Sequence, residues 1–226
     1  MNAARRAVGD DGRRQEVIRT VAKRGYRLVA EVRTGAFYKG VEIPADDAAR
    51  VAALRTYRIM DTAPEAAYDD ITAMAARISG CGFSYISFCD ETRFWLKSKV
   101  GYPEGFTERT RELSMCPATL LQSDLLIVED MRKHPNYRDL PSVKNPPHTR
   151  FYCAMPLINP EGHALGTLCV WDPGKKSLDH DQQQSIRLLA RQVLALLEMR
   201  RRINDLEARH EEMVRLVARM SSLMEP

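Results

Sequence analysis

Apolar residues recur along this chain in two rhythms. In residues 83–100 and 150–172 they form short runs and alternations of strand length. In residues 180–220 they fall three and four positions apart, the spacing of one helix face. The clearest strand signal is residues 150–172, two apolar runs joined by the turn sequence Asn159-Pro160-Glu161-Gly162, which predicts a hairpin. Gly166 lies inside the second run, where a missing side chain lets something approach the backbone closely. Phe83–Cys89 predicts another strand, with Phe83, Tyr85, Ser87 and Cys89 on one side and Ser84, Ile86 and Phe88 on the other. The polar turn Asp90-Glu91-Thr92-Arg93 leads into a further strand, Phe94–Val100, so this hairpin is expected at the centre of an antiparallel sheet. A polar connection over 101–113 follows. Ser114 is placed to cap a short helix running toward Gln122, with Pro117 in its first turn. Leu125–Val128 is a short strand. Residues 130–149 form a long irregular connection, of the kind that is usually functional or mobile.

Helical spacing adds three elements. Asp46 or Asp47 is expected to cap a helix carrying Val51, Leu54, Tyr57 and Ile59, which stops by Pro64. Pro64 suits the first turn of a second helix, with Glu65 and Asp69 near its favourable end and an apolar stripe of Ile71, Met74, Ala75 and Ile78. Gly80 closes it. After a turn over 173–179, a long helix is predicted from about Asp179 to near Met220. Its first half packs Ile186, Leu189, Val193 and Leu196 or Leu197 on the sheet. Its second half carries Met199, Ile203, Leu206, His210, Met213, Val217 and Met220 at spacings of four and three, a heptad seam. Arg201, Arg202, Asp205, Glu207, Arg209, Glu211, Glu212 and Arg215 flank it. A seam that the sheet cannot cover predicts a parallel homodimer. His210 within it either tunes the dimer by protonation or is a tolerated polar spacer.

At the other end, the runs 17–21 and 26–32 flank Gly25 and predict a hairpin, followed by a linker over 34–45. Charge separates this end from the rest. Residues 1–33 hold nine Lys/Arg and four Asp/Glu, against 25 and 26 in the remainder, so the whole excess of the net +4 sits there. That asymmetry points to contact with an anion at some stage. The length, 226 residues, fits one domain with extensions. No apolar run approaches the ~20 residues of a membrane span, and no secretory leader is evident, so a cytoplasmic protein with no membrane contact is expected. Five cysteines, an odd number without C-x2-C spacing, fit a reduced compartment.

Candidate chemistry is sparse. Cys116 lies near the start of the predicted short helix, where a thiolate is favoured, although a buried packing role is the plainer alternative. Cys153 and Cys169 sit on neighbouring strands, as a redox pair or as two core residues. Trp95, Phe151, Tyr152 and Trp171 are aromatic candidates for a pocket wall or for core filling. Arg150 and His148 border the long connection and could meet an anion or simply be solvated. Paired carboxylates at catalytic spacing, G-x-x-x-x-G-K-[ST] and H-E-x-x-H are all missing, so no catalytic or metal residue is assigned and no enzyme is expected.

Residues 46–198 resemble a GAF domain throughout. The resemblance is carried by residues 50–65, by Ser87–Lys97, by Pro135-Asn136-Tyr137-Arg138 and by the 150–172 hairpin, in order. It implies an α+β fold: a central antiparallel sheet flanked by helices, continued here by a coiled-coil helix over 199–226. It implies a sensor that binds a small ligand or responds to redox state, with Trp95, Cys116, Arg150, Tyr152, Cys153 and Trp171 as candidate ligand contacts. The family binds cyclic nucleotides, tetrapyrroles, haem or amino acids, so the cofactor stays unassigned. Similar modules often carry a histidine two residues after the cysteine of 114–118, where this chain has Ala118. The output partner would be a kinase, cyclase or regulator. Two alternatives stand beside the sensor: a GAF-type sulfoxide reductase using Cys116 or Cys153, and a transcription regulator. Residues 3–33 resemble the C-terminal end of an OmpR-type winged-helix domain, the tail of its recognition helix and its wing hairpin. Without the rest of that fold the segment is expected to be a remnant that does not bind DNA.

Overall fold

A computed structural model describes residues 18–21, 25–28, 44, 46–111 and 114–224, in two units, residues 1–36 and 37–226. In the first unit, β1 (Ile18–Val21) and β2 (Gly25–Leu28) pair antiparallel, with Ile18 opposite Leu28. The expected N-terminal hairpin is present there. The remaining winged-helix positions and all of the expected linker but residue 44 lie outside the described residues.

The second unit is built on a six-stranded antiparallel sheet. Its strands are β3 (Phe83–Cys89), β4 (Arg93–Val100), β5 (Glu108–Thr110), β6 (Leu126–Val128), β7 (Phe151–Ile158) and β8 (Ala164–Asp172). Their spatial order is β5-β4-β3-β8-β7-β6, so the hairpins β3–β4 and β7–β8 meet through β3 and β8 at the centre. The helices are α1 (Asp47–Thr56), α2 (Ala66–Ser79), the short α3 (Cys116–Leu120) and α4 (Pro141–Lys144), and α5 (His180–Met224).

Period-two alternation gives the sheet two apolar faces, and each has its own cover. On one face Ile86, Phe88, Trp95, Phe151, Cys153, Leu157, Leu168 and Val170 pack against Leu54 and Tyr57 of α1, Tyr68 and Ala75 of α2, and Ile186, Ala190, Val193 and Leu197 of α5. Ile186, Val193 and Leu197 are fully buried, which contributes about 1.5–3 kcal/mol each. On the other face Tyr85, Cys89, Phe94, Tyr152, Ala154, Cys169 and Trp171 meet Met115, Cys116 and Leu120 around α3, and Met131, Tyr137, Leu140 and Val143. The long 130–149 connection is therefore a packed roof, with a short helical turn at Met131–Lys133 and α4 within it.

Several local expectations are corrected. Asp46 holds the capping position of α1, as expected, but makes no side-chain capping bond there. Asp46 pairs with His163 at 3.1 Å, while Asp47 accepts from Arg50 and from both terminal nitrogens of Arg111. Helix α2 begins at Ala66 rather than at Pro64, because Glu65 takes the capping position with extended backbone. Its buried stripe is Tyr68, Thr72, Ala75, Ala76 and Ser79, and Met74 faces solvent. It ends at Gly80 in the left-handed conformation that glycine adopts without cost. Ser114 does not sit at the capping position of α3, but its Oγ accepts the Cys116 N–H at 3.2 Å.

Two buried cations tie the layers together. Arg50, 1% exposed, donates to Cys89 O at 2.7 Å and to Asp47 at 2.8 Å. Lys97, on β4, passes through the helical face. Its Nζ donates to Thr62 Oγ1, Ala63 O and Glu65 Oε1 at 2.6–2.7 Å. Glu65 also accepts from Arg200 of α5.

Candidate functional site

The face of the sheet away from the long helices holds a small cavity. Its floor is Tyr85 of β3, Phe94 and Leu96 of β4, Tyr152 of β7 and Trp171 of β8. Its walls come from the connections and from β5, α3 and α4: Tyr102, Phe106, Arg109, Ser114, Met115, Cys116, Ser142, Pro147 and Thr149. Its volume is about 50 Å³, room for roughly four waters at 10–15 Å³ each.

The walls are held by aromatic stacking and by a line of hydroxyls and thiols. Trp171 stacks on Phe83 at 3.8 Å and donates its indole N–H to the Tyr102 hydroxyl at 2.5 Å. Tyr102 stacks in turn on Phe106 at 5.1 Å. Beneath the cavity the Tyr85 hydroxyl lies 3.2 Å from Cys116 Sγ, and Thr167 Oγ1 donates to the same sulfur at 3.6 Å. Ser87 bonds Thr167 at 3.1 Å, and Thr119 bonds the Tyr152 hydroxyl at 3.1 Å. Complete burial pushes the Tyr85 and Tyr152 phenols and the Cys169 thiol well up, so all three are neutral hydrogen-bonding groups.

Of the residues singled out from sequence, the structure brings Cys116, Tyr152 and Trp171 to this cavity. Trp95 and Cys153 lie on the opposite face, in the core beneath the helices, as does Phe151. The reason is strand parity: Phe94 and Tyr152 point to the cavity, so their neighbours Trp95, Phe151 and Cys153 cannot. Trp95 instead lies under the Lys97 ammonium, 6.0 Å from its ring centroid. Cys153 and Cys169 are likewise on opposite faces and form no pair; all five thiols are free and buried. Arg150 braces the roof, its Nη1 donating to Val143 O at 2.9 Å and Thr149 O at 3.1 Å. His148 is exposed. Cavity residues not anticipated include Tyr85, Tyr102, Arg109, Ser142 and Thr149; only Tyr85 had a legible signal, its place in the alternation of β3.

The seam residues Met199, Ile203, Leu206, Met213 and Met220 of α5 are 48–65% exposed. His210 is exposed among them, and the side chain of Val217 lies outside the described residues. Among the described residues, no group of His, Cys, Asp and Glu is placed to hold a metal ion, and no helix is long and apolar enough to cross a membrane.

The GAF domain family model matches residues 63–197. A cyclic di-GMP phosphodiesterase from Pseudomonas aeruginosa is 30% identical over 129 residues; the match covers 57% of this chain and 22% of that protein. The chain therefore spans about a fifth of this curated relative. The fold matches the GAF domain of a phosphoenolpyruvate-protein phosphotransferase from Acinetobacter (TM-score 0.51, 13% identity, covering 70% of this chain and 95% of that one). It also matches the PixJ GAF domain of Thermosynechococcus elongatus (TM-score 0.51, 13% identity, 73% and 96% covered). A third match is a domain of a sensor histidine kinase protein from Sinorhizobium meliloti (TM-score 0.51, 16% identity, 66% and 99% covered).

Proposed function

The chain belongs to the GAF domain family, a family of sensory and signalling modules, and from that premise we propose that it is a non-catalytic sensor. A small ligand in the cavity biases the position of α5, and α5 passes the change along a dimeric coiled coil to an output partner. That partner is a kinase, a cyclic-nucleotide or cyclic-dinucleotide enzyme, or a regulator.

One observation carries this reading. Strand β4 turns Phe94 and Leu96 to the cavity and Lys97 to the other side, where Lys97 and Arg200 of α5 share the Glu65 carboxylate. The cavity wall and the long helix are thus one charge-linked step apart. Partial burial pushes the Glu65 carboxyl up, but the hydrogen bonds from Lys97 and Arg200 outweigh it and hold the group below its ordinary range. Near α1 a second link exists: the Tyr57 hydroxyl and Glu198 Oε1 are 2.5 Å apart, and Asn204 donates to Tyr57 O at 3.3 Å. A ligand that favours one arrangement of these links by its own differential affinity is enough to shift the balance.

The dimer is supported by the seam itself. With Ile203, His210 and Val217 at one core position of the heptad and Met199, Leu206, Met213 and Met220 at the other, β-branched residues predominate at the position where parallel pairs favour them. In that register Arg202 falls opposite Glu207 of a second copy, an attractive flank pair. A cysteine-dependent sulfoxide reductase is less well supported. Cys116 is 1% exposed, Cys153 is on the wrong face, and among the described residues no histidine or carboxylate lines the cavity. Five buried free thiols favour a reduced, cytoplasmic setting.

Native mass spectrometry of the whole chain tests the proposal. A dimer carrying a small adduct is the expected result. A monomer at micromolar concentration would remove the coiled-coil relay. Turnover that depends on Cys116 would overturn the non-catalytic assignment.

A further inference from the structure

We propose that the groove between α2 and α5, beside the Glu65–Arg200 junction, is filled in trans by helix α5 of a second copy of this chain, with Arg202 of that copy answering Glu207 in the groove wall. The proposal rests on the dimeric relay reading. It extends the dimer contact from the coil onto the sensor body.

The groove comes first. It holds about 350 Å³ and is lined by Tyr68 of α2 and by Leu196, Met199 and Ile203 of α5, with Glu65 and Glu207 among its walls. Met199 and Ile203 are 59% and 48% exposed. Both are also seam residues, so a helix that covers the seam overhangs the groove as well.

Position along the helices comes second. Glu65 pairs with Arg200, and the Ile78 carbonyl accepts from Gln182 at 2.8 Å, so α2 and α5 run antiparallel side by side. Counted from either contact at equal rise per residue, Met74 stands level with residues 186–191 of α5 and Ala67 with residues 193–198. Continued toward the sensor body, the seam register of Ile203 and His210 puts Leu188, Ala195 and Arg202 on one flank, a heptad apart. The groove lies on the other flank, that of Arg200 and Glu207. In a parallel pair these two flanks face each other across the seam. A second copy therefore lays its Leu188 toward Met74, its Ala195 toward Ala67 and its Arg202 toward Glu207. Leu188 is 50% exposed and Met74 43%; one copy leaves both in water, and a second copy covers them.

Charge comes third. Arg202 and Glu207 are exposed, and neither has an ion pair among the described residues. Five positions apart on one helix, they do not face each other within a copy. Between copies the same offset is the flank-pair spacing of a parallel coil. Glu65 is already held by Lys97 and Arg200, so Glu207 is the groove carboxylate left for the incoming guanidinium. Two-fold symmetry makes this contact occur twice.

The test uses the full chain under mild oxidation. Met74→Cys combined with Leu188→Cys should give a disulfide-linked dimer on a non-reducing gel, because both positions are exposed. The parent chain, whose five thiols are buried, should stay unlinked. Leu206→Cys, at a core position of the coil, should link to itself and so reports the coil alone. In sedimentation equilibrium, Arg202→Glu should weaken the dimer about tenfold, and Arg202→Glu with Glu207→Arg should restore it. A link at position 206 without one between positions 74 and 188 would overturn this inference and leave the relay reading intact, since the coil would then pair with the groove left open. Failure of the charge exchange to restore the dimer would overturn the role given to Arg202. A monomer with neither link would overturn both readings.

Discussion

Replacing Gly166, the one glycine within the strands of the six-stranded sheet, by alanine should strongly destabilise this protein. A Cβ at position 166 would lie 2.0 Å from Ser87 O and 2.9 Å from Phe88 Cα. Both atoms belong to the backbone of β3, which pairs with β8 through Phe88 and Gly166. No rotamer change can relieve the overlap, so the two central strands must separate by roughly 1 Å or lose a pair of ladder hydrogen bonds. Overpacking of this kind costs about 3 kcal/mol or more. For a chain of this size that corresponds to a fall of about 6–12 °C in melting temperature. The disturbance also reaches the cavity floor. Ser87 bonds Thr167 at 3.1 Å, and Thr167 supports the Cys116 sulfur. Urea denaturation followed by circular dichroism measures the loss. Gly105→Ala is the control, because a Cβ there meets nothing within 4 Å; it should stay neutral or gain up to about 1 kcal/mol. A Gly166→Ala protein within about 0.5 kcal/mol of the parent would show that the central strands adjust freely.

Three further outcomes are expected. In a double-mutant cycle, Lys97→Met and Glu65→Gln should couple by about 1 kcal/mol or more in urea denaturation, since Lys97 is fully buried against that carboxylate; additive effects would dissolve the link proposed between β4 and α5. Hydrogen bonding from Arg111, which outweighs the opposing effect of partial burial, holds Asp47 below the usual carboxylate range. A lowered folded-state value contributes stability that is present above the unfolded value and lost as pH falls, so melting temperature should be flat from about pH 7 to 5 and drop below about pH 4. Asp47→Asn should shallow that drop, and an unchanged slope would assign it to other groups. Finally, burial pushes the Cys89 and Cys153 thiols up to about 12. Both should react with a disulfide reagent at pH 8 only at the rate of opening, accelerating in urea; immediate labelling of the native protein would contradict their burial.

Much of the sheet was legible because alternation and turn chemistry agree. The alternation places Phe83, Tyr85, Ser87 and Cys89 on one side of β3, and the structure has Tyr85 and Cys89 in the core beside the cavity with Phe83 packed against it. Both hairpins and the buried half of α5 followed from the same kind of pattern. Parity sorts residues into two sides but does not say which side is roofed by helices and which by loops. Hence the sequence leaves Trp95 and Cys153 as candidates beside Tyr152 and Trp171, although one residue's shift along a strand moves a side chain through the sheet. The cavity walls were the least legible part. Tyr102, Arg109, Ser142 and Thr149 stand in connections or short elements without useful periodicity, and only tertiary packing gathers them. Side-chain capping at the starts of α1 and α2 was less legible for a related reason. Asp47 and Glu65 have the right chemistry for local capping, but Arg111, Lys97 and Arg200 compete for them from a distance.

The length of α5 sets the mechanical scale of any signal it carries. From Leu197, its last fully buried residue, to its end at Met224 there are 27 residues, about 40 Å of helix at 1.5 Å per residue. A rigid rod of that length multiplies small rotations at its base. A tilt of about 5° where α5 leaves the sheet would carry its tip by ~3.5 Å, more than two residues' rise along a helix axis. In the proposed relay, a small displacement of the β4–Glu65–Arg200 junction would therefore be enlarged along the rod. The gain lies in the arm and not in the pocket.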